Sequence, residues 1–342
     1  MRRRRVVIAC LSAVVATGAL GSCGNTDSGD DTAASSTSSD AVFEGTYSVF
    51  RTTASVDREP PTGGDAEPVT STWVVQSRCD GGTCVAVARS TAPNNSSGLD
   101  LDRMEFVFAD GSWSRVAVPP KRTCVLPGTT APVDEPWVAI DNTTVTPRSD
   151  SATNGAPDTL GGPTTSIQGG SCSRVSTGRI TLTRKGDLPA GTPPLGSVSV
   201  PDATTTPGDG FRGSYRQRTT VVSWDPPSLI ARPTTQTTEF TAAPTCTRDG
   251  TRCVVVMVDK PSRPGQTVVD FADGVFRQTE TLPERQCPGR SERYRPTLTS
   301  QTLVEPNSSA PIDTLDNEST LTWSGACAGT VRFRAELTRT GD

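Results

Sequence analysis

The residues best equipped for chemistry are ten cysteines, in a chain of 342 residues that holds no histidine. A thiol can act as a nucleophile, ligate a metal, exchange in a redox pair or close a disulfide. Spacing separates these roles. Redox exchange needs CxxC, which is absent. Zinc needs paired short spacings and, most often, histidine. Eight cysteines fall into two groups of four: Cys79, Cys84, Cys124 and Cys172, then Cys246, Cys253, Cys287 and Cys327. Even numbers in an exported chain imply disulfides. In RCDGGTCV, a two-residue Gly81-Gly82 turn makes Asp80 and Thr83 the first facing pair and Cys79 and Cys84 the next. That next pair is of the non-hydrogen-bonded kind, where side chains lie closest. Cys79–Cys84 is therefore expected, which leaves Cys124–Cys172. The same order gives Cys246–Cys253, provided CTRDGTRC holds a four-residue loop, and Cys287–Cys327.

Other chemistries find little support. Without histidine there is no Ser-His or Cys-His nucleophile and no histidine metal site. The three lysines (Lys121, Lys185, Lys260) stand in no SxxK pattern, and GxSxG is absent. GDGFRG at 208–213 matches GxGxxG, but it follows a Pro/Thr-rich stretch and opens a strand, where a phosphate-binding turn opens a helix. With 37 acids, no single carboxylate pair stands out for glycoside cleavage. DSGDD at 27–31 reads as part of a polar tether, ahead of a weak calcium site. No enzyme activity, cofactor or metal is expected.

The N-terminus bears on location. Arg2 to Arg5 precede an apolar run from Val6 to Leu20, shorter than the ~20 residues of a spanning helix. Leu20-Gly21-Ser22-Cys23 resembles the lipobox of bacterial lipoproteins, in which cleavage precedes the cysteine and its sulfur carries diacylglycerol. The resemblance implies a signal peptide over residues 1–22 and lipidation at Cys23, hence membrane attachment on the extracytoplasmic face. Residues 23–39 read as a disordered polar tether. Residues 1–22 hold four arginines and no acid, so their removal takes the formal charge from −4 to −8. That excludes nucleic acid as a natural partner.

The cysteine groups mark an internal repeat. FEGTY at 43–47 returns as FRGSY at 211–215. Trp73, six residues before Cys79, returns as Phe240, six before Cys246. FADGSW at 108–113 returns as FADGVF at 271–276, and LTRKGD at 182–187 as LTRTGD at 337–342. The chain therefore holds two copies of one domain, residues 40–187 and 209–342. A proline-rich linker over 188–208 joins them.

Both copies are written in strands. MEFVFADGSWSRVAV alternates apolar and polar residues about Asp110-Gly111, and VVDFADGVFRQTETL does so about Asp273-Gly274. No long stretch shows helical periodicity. Each copy is expected to be all-β: six to eight antiparallel strands closed as a disulfide-bonded barrel or stacked as a sandwich.

The pattern of F-x-G-x-Y, T-x-x-W/F before a C…C hairpin, an Asp-Gly hairpin between aromatic strands, two later cysteines and a terminal LTR-x-GD resembles a module of actinobacterial cell-surface proteins. That module occurs in the extracellular regions of mycobacterial-type serine/threonine kinases and in related secreted or lipid-anchored proteins. The resemblance implies an envelope-exposed, sensor-like or ligand-binding role, although this chain has no kinase domain. A second likeness is to calycins, in which a Gly-x-aromatic and a late arginine stack across the closed end. Gly45-x-Tyr47 with Arg184, and Gly213-x-Tyr215 with Arg339, fit that pattern. A calycin-like barrel would offer its mouth to a small apolar ligand. The alternative is a structural or interaction lipoprotein with filled cores and an envelope protein as partner.

Overall fold

A computed structural model describes residues 42–342 apart from 58, 62, 81–82, 91–102, 120–123, 126–131, 134–138, 149–151, 154, 197–199, 201–202, 226–234, 260–265, 283, 288–290, 304–310 and 326. Sixteen of the described strands form two closed antiparallel barrels of eight strands each, and the remaining short ones form two-stranded ribbons. The first comprises β1 (Gly45–Val56), β2 (Val69–Asp80), β3 (Thr83–Ser90), β4 (Met104–Ala109), β5 (Ser112–Ala117), β6 (Ala139–Pro147), β7 (Thr159–Gln168) and β8 (Arg174–Gly186). The second comprises β9 (Gly213–Asp225), β10 (Thr235–Cys246), β11 (Arg252–Asp259), β12 (Gln266–Ala272), β13 (Val275–Thr281), β14 (Thr297–Leu303), β15 (Thr314–Trp323) and β16 (Gly329–Gly341). In each, every strand pairs with its successor and the last returns to the first. Of the two architectures open to the sequence, both copies are barrels. Closure removes the edges that a sandwich this polar would leave exposed.

Period-two alternation explains the cores. Along β1, Tyr47 and Val49 are fully buried while Phe50 faces solvent. Trp73, Val75, Phe106, Trp113, Leu160, Ile180 and Leu182 join them inside the first barrel. Each buried aliphatic side chain of this kind contributes about 1.5–3 kcal/mol. The Asp-Gly pairs make the tight hairpins the sequence demands: φ is 50° and 72° at Asp110 and Gly111, and 53° and 74° at Asp273 and Gly274. These turns set Phe108 opposite Trp113 and Phe271 opposite Phe276, with ring centroids 5.1 and 4.8 Å apart.

Ahead of the second barrel, Pro207–Gly210 form one helical turn capped by Thr206 and Asp209. Periodicity over four residues cannot reveal such a turn. Gly208 lies so close to the Cys253 sulfur that a Cβ there would sit 2.4 Å from it. Gly208 of GDGFRG thus serves packing against the barrel end.

The barrels dock side by side. Ile140, Ile167 and Val175 on the outer face of the first pack against Val254, Val256 and Val268 of the second. Ser171 and Thr281 hydroxyls meet at 2.9 Å, and Gln266 Nε2 donates to Asp57 Oδ1 at 3.2 Å.

Gly45 and Gly213 begin the first strands with φ of 125° and 104°, which only glycine adopts readily. A Cβ on Gly45 would lie 2.6 Å from the Gly186 carbonyl oxygen and 3.0 Å from Arg184 Nε. Gly45→Ala should therefore lower stability by about 1–3 kcal/mol. Gly64→Ala, at a position with nothing within 4 Å of the added carbon, should change it far less. Denaturant melts of both variants check this.

Candidate functional site

Each barrel has a closed end and a mouth, and the closed ends are near copies of one another. In the first, the Phe43 ring plugs the end against Tyr47, Phe106 and Trp113 at centroid distances of 5.3–5.8 Å. Arg184 lies over Gly45, donates from Nε to the Glu44 carbonyl at 3.4 Å and pairs with Asp187. Tyr47 Oη donates to the Glu44 and Pro157 carbonyls at 3.3 and 3.4 Å. In the second, Phe211 packs on Tyr215, Phe240 and Phe276. Arg339 donates to the Arg212 carbonyl at 3.3 Å and pairs with Asp342, and Tyr215 Oη donates to the Ile312 carbonyl at 2.7 Å. Burial pushes both phenols up, Tyr215 to about 12. The Gly-x-Tyr and late-arginine pairs singled out in the sequence thus meet at these ends.

The disulfides brace hairpins and loops. Cys79–Cys84 and Cys246–Cys253 each join directly facing residues of a hairpin, with Cα atoms 3.9 Å apart. The backbone pair Thr247–Arg252 leaves four residues in the second loop. Cys287–Cys327 ties the segment after β13 to the β15–β16 hairpin. By the chain-entropy relation a short bridge stabilises by about 2 kcal/mol and the long one by about 4. The side chains of Cys124 and Cys172, and the whole of Cys23, lie outside the described residues. Among the described residues no three of Cys, Asp and Glu converge as a metal site.

The mouths differ. In the first barrel, inward positions carry Arg51 on β1, Arg115 on β5 and Asp141 on β6, around a pocket of about 260 Å³. The Arg51 guanidinium sits 5.1 Å from the centroid of the Trp73 ring, a cation–π contact. Its Nε is buried and has no hydrogen-bond partner. Among the described residues no ion pair joins Asp141 to either arginine. Burial, and then the like charge of Arg115, pull Arg51 below the ordinary guanidinium range; burial does the same to Arg115. Asp141 opposes both shifts.

Strand register gives the equivalent positions of the second barrel: Thr219 for Arg51, Gln278 for Arg115 and Leu298 for Asp141. Inside lies a cavity of about 100 Å³ with an apolar floor that includes Phe211, Val269, Phe276 and Leu337. Above the floor stand Gln217, Gln278, Ser300, Asn317 and Ser319. Gln278 donates to Glu280 Oε2 at 3.0 Å, and Gln217 to Thr219 at 3.0 Å. Glu280, which takes the place of Ala117, is held above the ordinary carboxylate range by burial.

None of Arg51, Arg115, Asp141 or Glu280 was marked by a sequence motif. The available signal was a charge falling on the apolar face of an alternating strand, as in Tyr47-x-Val49-x-Arg51.

No family model matches the chain, and no curated protein does. Among solved structures, one similar chain is the monomer form of the PknI sensor domain of M. tuberculosis. It shares 16% identity at a TM-score of 0.32, covering 44% of this chain and 93% of that one. Another is a protein of unknown function from the DUF3598 family of Nostoc punctiforme, with 9% identity and a TM-score of 0.20 over 88% of this chain and 98% of that one.

Because folding raises the Glu280 pKa, the folded chain binds this proton more tightly than the unfolded chain. The associated stability is present below the ordinary carboxylate pKa and is lost as pH rises through the raised value. Glu280→Gln should thus raise the melting temperature at pH 7 and flatten the decline between pH 4 and 7. Thermal melts across that range test the sign.

Proposed function

We propose that this chain is an exported, non-enzymatic binding or sensing module of a bacterial cell envelope, anchored by lipid on Cys23, with its ligand sites at the barrel mouths. One observation carries the reading. The two copies keep the same aromatic plug, glycine and arginine at the closed end, while equivalent inward positions at the mouths hold Arg51, Arg115 and Asp141 in one and Thr219, Gln278 and Leu298 in the other. A fold that needed only stability would gain nothing from two largely desolvated arginines, one with an unpartnered buried Nε, since burying charge is unfavourable. The disulfides agree with an oxidising compartment. Among the described residues no helix is long and apolar enough to cross a membrane, and attachment through Cys23 requires none.

A protein-interaction role draws on a different observation. Phe50 points outward from the first barrel and is 45% exposed, facing Thr70 on the adjacent strand. An envelope protein could cover that outer face.

Metabolic labelling with palmitate should mark the full chain and fail to mark Cys23→Ser, with the variant released from the membrane fraction. Native mass spectrometry of the full chain, extracted from its own envelope in detergent, should show bound small-molecule mass. A clean apo mass, together with a protein cross-linked at Phe50, would favour the interaction role instead.

A further inference from the structure

We propose that the mouth of the first barrel binds an oxyanion, a carboxylate or phosphate group on a small polar molecule, held between the guanidinium groups of Arg51 and Arg115. The inference rests on the binding role above and gives it a ligand class.

The pocket lining carries two guanidinium groups, Arg51 and Arg115, and two carboxylates, Asp141 and Glu67. Glu67 stands at the rim, exposed to solvent, where water screens it. Asp141 makes no ion pair with either arginine among the described residues. Arg51 Nε is a buried donor without an acceptor, which folded chains normally avoid. A guanidinium presents parallel N–H groups that fit the two oxygens of a carboxylate or phosphate. Such a group would meet the orphaned donor and lie between two guanidinium groups of like charge. The Trp73 ring holds the Arg51 head in place by its face, which reduces the ordering that binding must impose.

The surroundings suit a polar body behind the anion. Hydroxyls of Thr53, Thr143, Thr164, Ser166 and Ser176 line the same pocket. Met104, a member of the packed apolar core, also lies in its lining, so the pocket ends at that core. A volume of about 260 Å³ accepts a small polar molecule or a lipid headgroup, whereas a long acyl chain would have to remain outside. The second barrel supplies the internal contrast. Thr219 and Gln278 replace the two arginines, and Glu280 adds a carboxylate at its mouth.

The full chain in detergent is titrated with inorganic phosphate and, separately, with vesicles of phosphatidylglycerol against phosphatidylcholine. Arg51→Met and Arg115→Gln are compared with the parent after near-ultraviolet circular dichroism has established that they fold. Phosphate binding that weakens at least tenfold in either variant supports the proposal with a free solute as the source. Selective binding to phosphatidylglycerol vesicles, lost in the same variants, supports it with a headgroup as the source. Should a variant fail to fold, the ¹⁵N resonance of Arg51 Nε in the parent gives the readout, and it must shift on addition of phosphate. Absence of binding to both probes, or binding indifferent to both arginines, overturns the proposal. A neutral molecule that co-purifies with the chain and is retained by both variants would overturn the anion assignment while leaving the binding role intact.

Discussion

An arginine laid over a glycine closes one end of each barrel, and the rest of the molecule follows from that contact. A barrel of this kind must bring its last strand back to its first in a fixed register. Tyr47 faces Arg184 in that seam, and Tyr215 faces Arg339. A Cβ there would collide with the Gly186 or Gly341 carbonyl oxygen and crowd the guanidinium, and only a residue tolerant of positive φ can start the strand. The arginine then satisfies backbone carbonyls that strand pairing has left free, while a phenylalanine from the preceding segment fills the end beneath it. With closure assigned to one end, the other is released from structural duty.

That division of labour explains how two copies of one domain come to present different chemistry. Closed-end residues are coupled to several neighbours at once, so a change in one disturbs the seam, the plug and the hairpin together. Mouth residues carry no part of that plug or seam contact. The first barrel has two cations over an apolar core there, and the second amides, hydroxyls and one carboxylate over an internal cavity. Docking through the valine and isoleucine faces joins the two. The hydrogen bonds from Gln266 to Asp57 and between Ser171 and Thr281 tie mouth end to mouth end. Both mouths therefore open on the same side of the pair.

The sequence disclosed most of this architecture, because its signals were local. Asp-Gly between alternating runs specifies a hairpin, and facing cysteines two residues from a tight turn specify a bridge. A repeat of F-x-G-x-Y with a late LTR specifies that two segments share one end. The choice between barrel and sandwich was not local: it depends on whether β1 pairs with β8 across some 130 residues of chain, which no window of alternation reports. The mouth was hidden for a related reason. Arg51, Arg115 and Asp141 come from three strands far apart in sequence, and each alone reads as one solvated charge among 33 basic and 37 acidic residues. Only closure of the sheet brings their inward faces together.

The most direct test is an experimental structure of the full chain purified from its native host. The account predicts an ordered oxyanion between Arg51 and Arg115, within hydrogen-bond distance of both guanidinium groups, with no counterpart at Thr219 and Gln278. A first mouth holding water alone, with both arginines paired to acids of the chain itself or turned out to solvent, would contradict it.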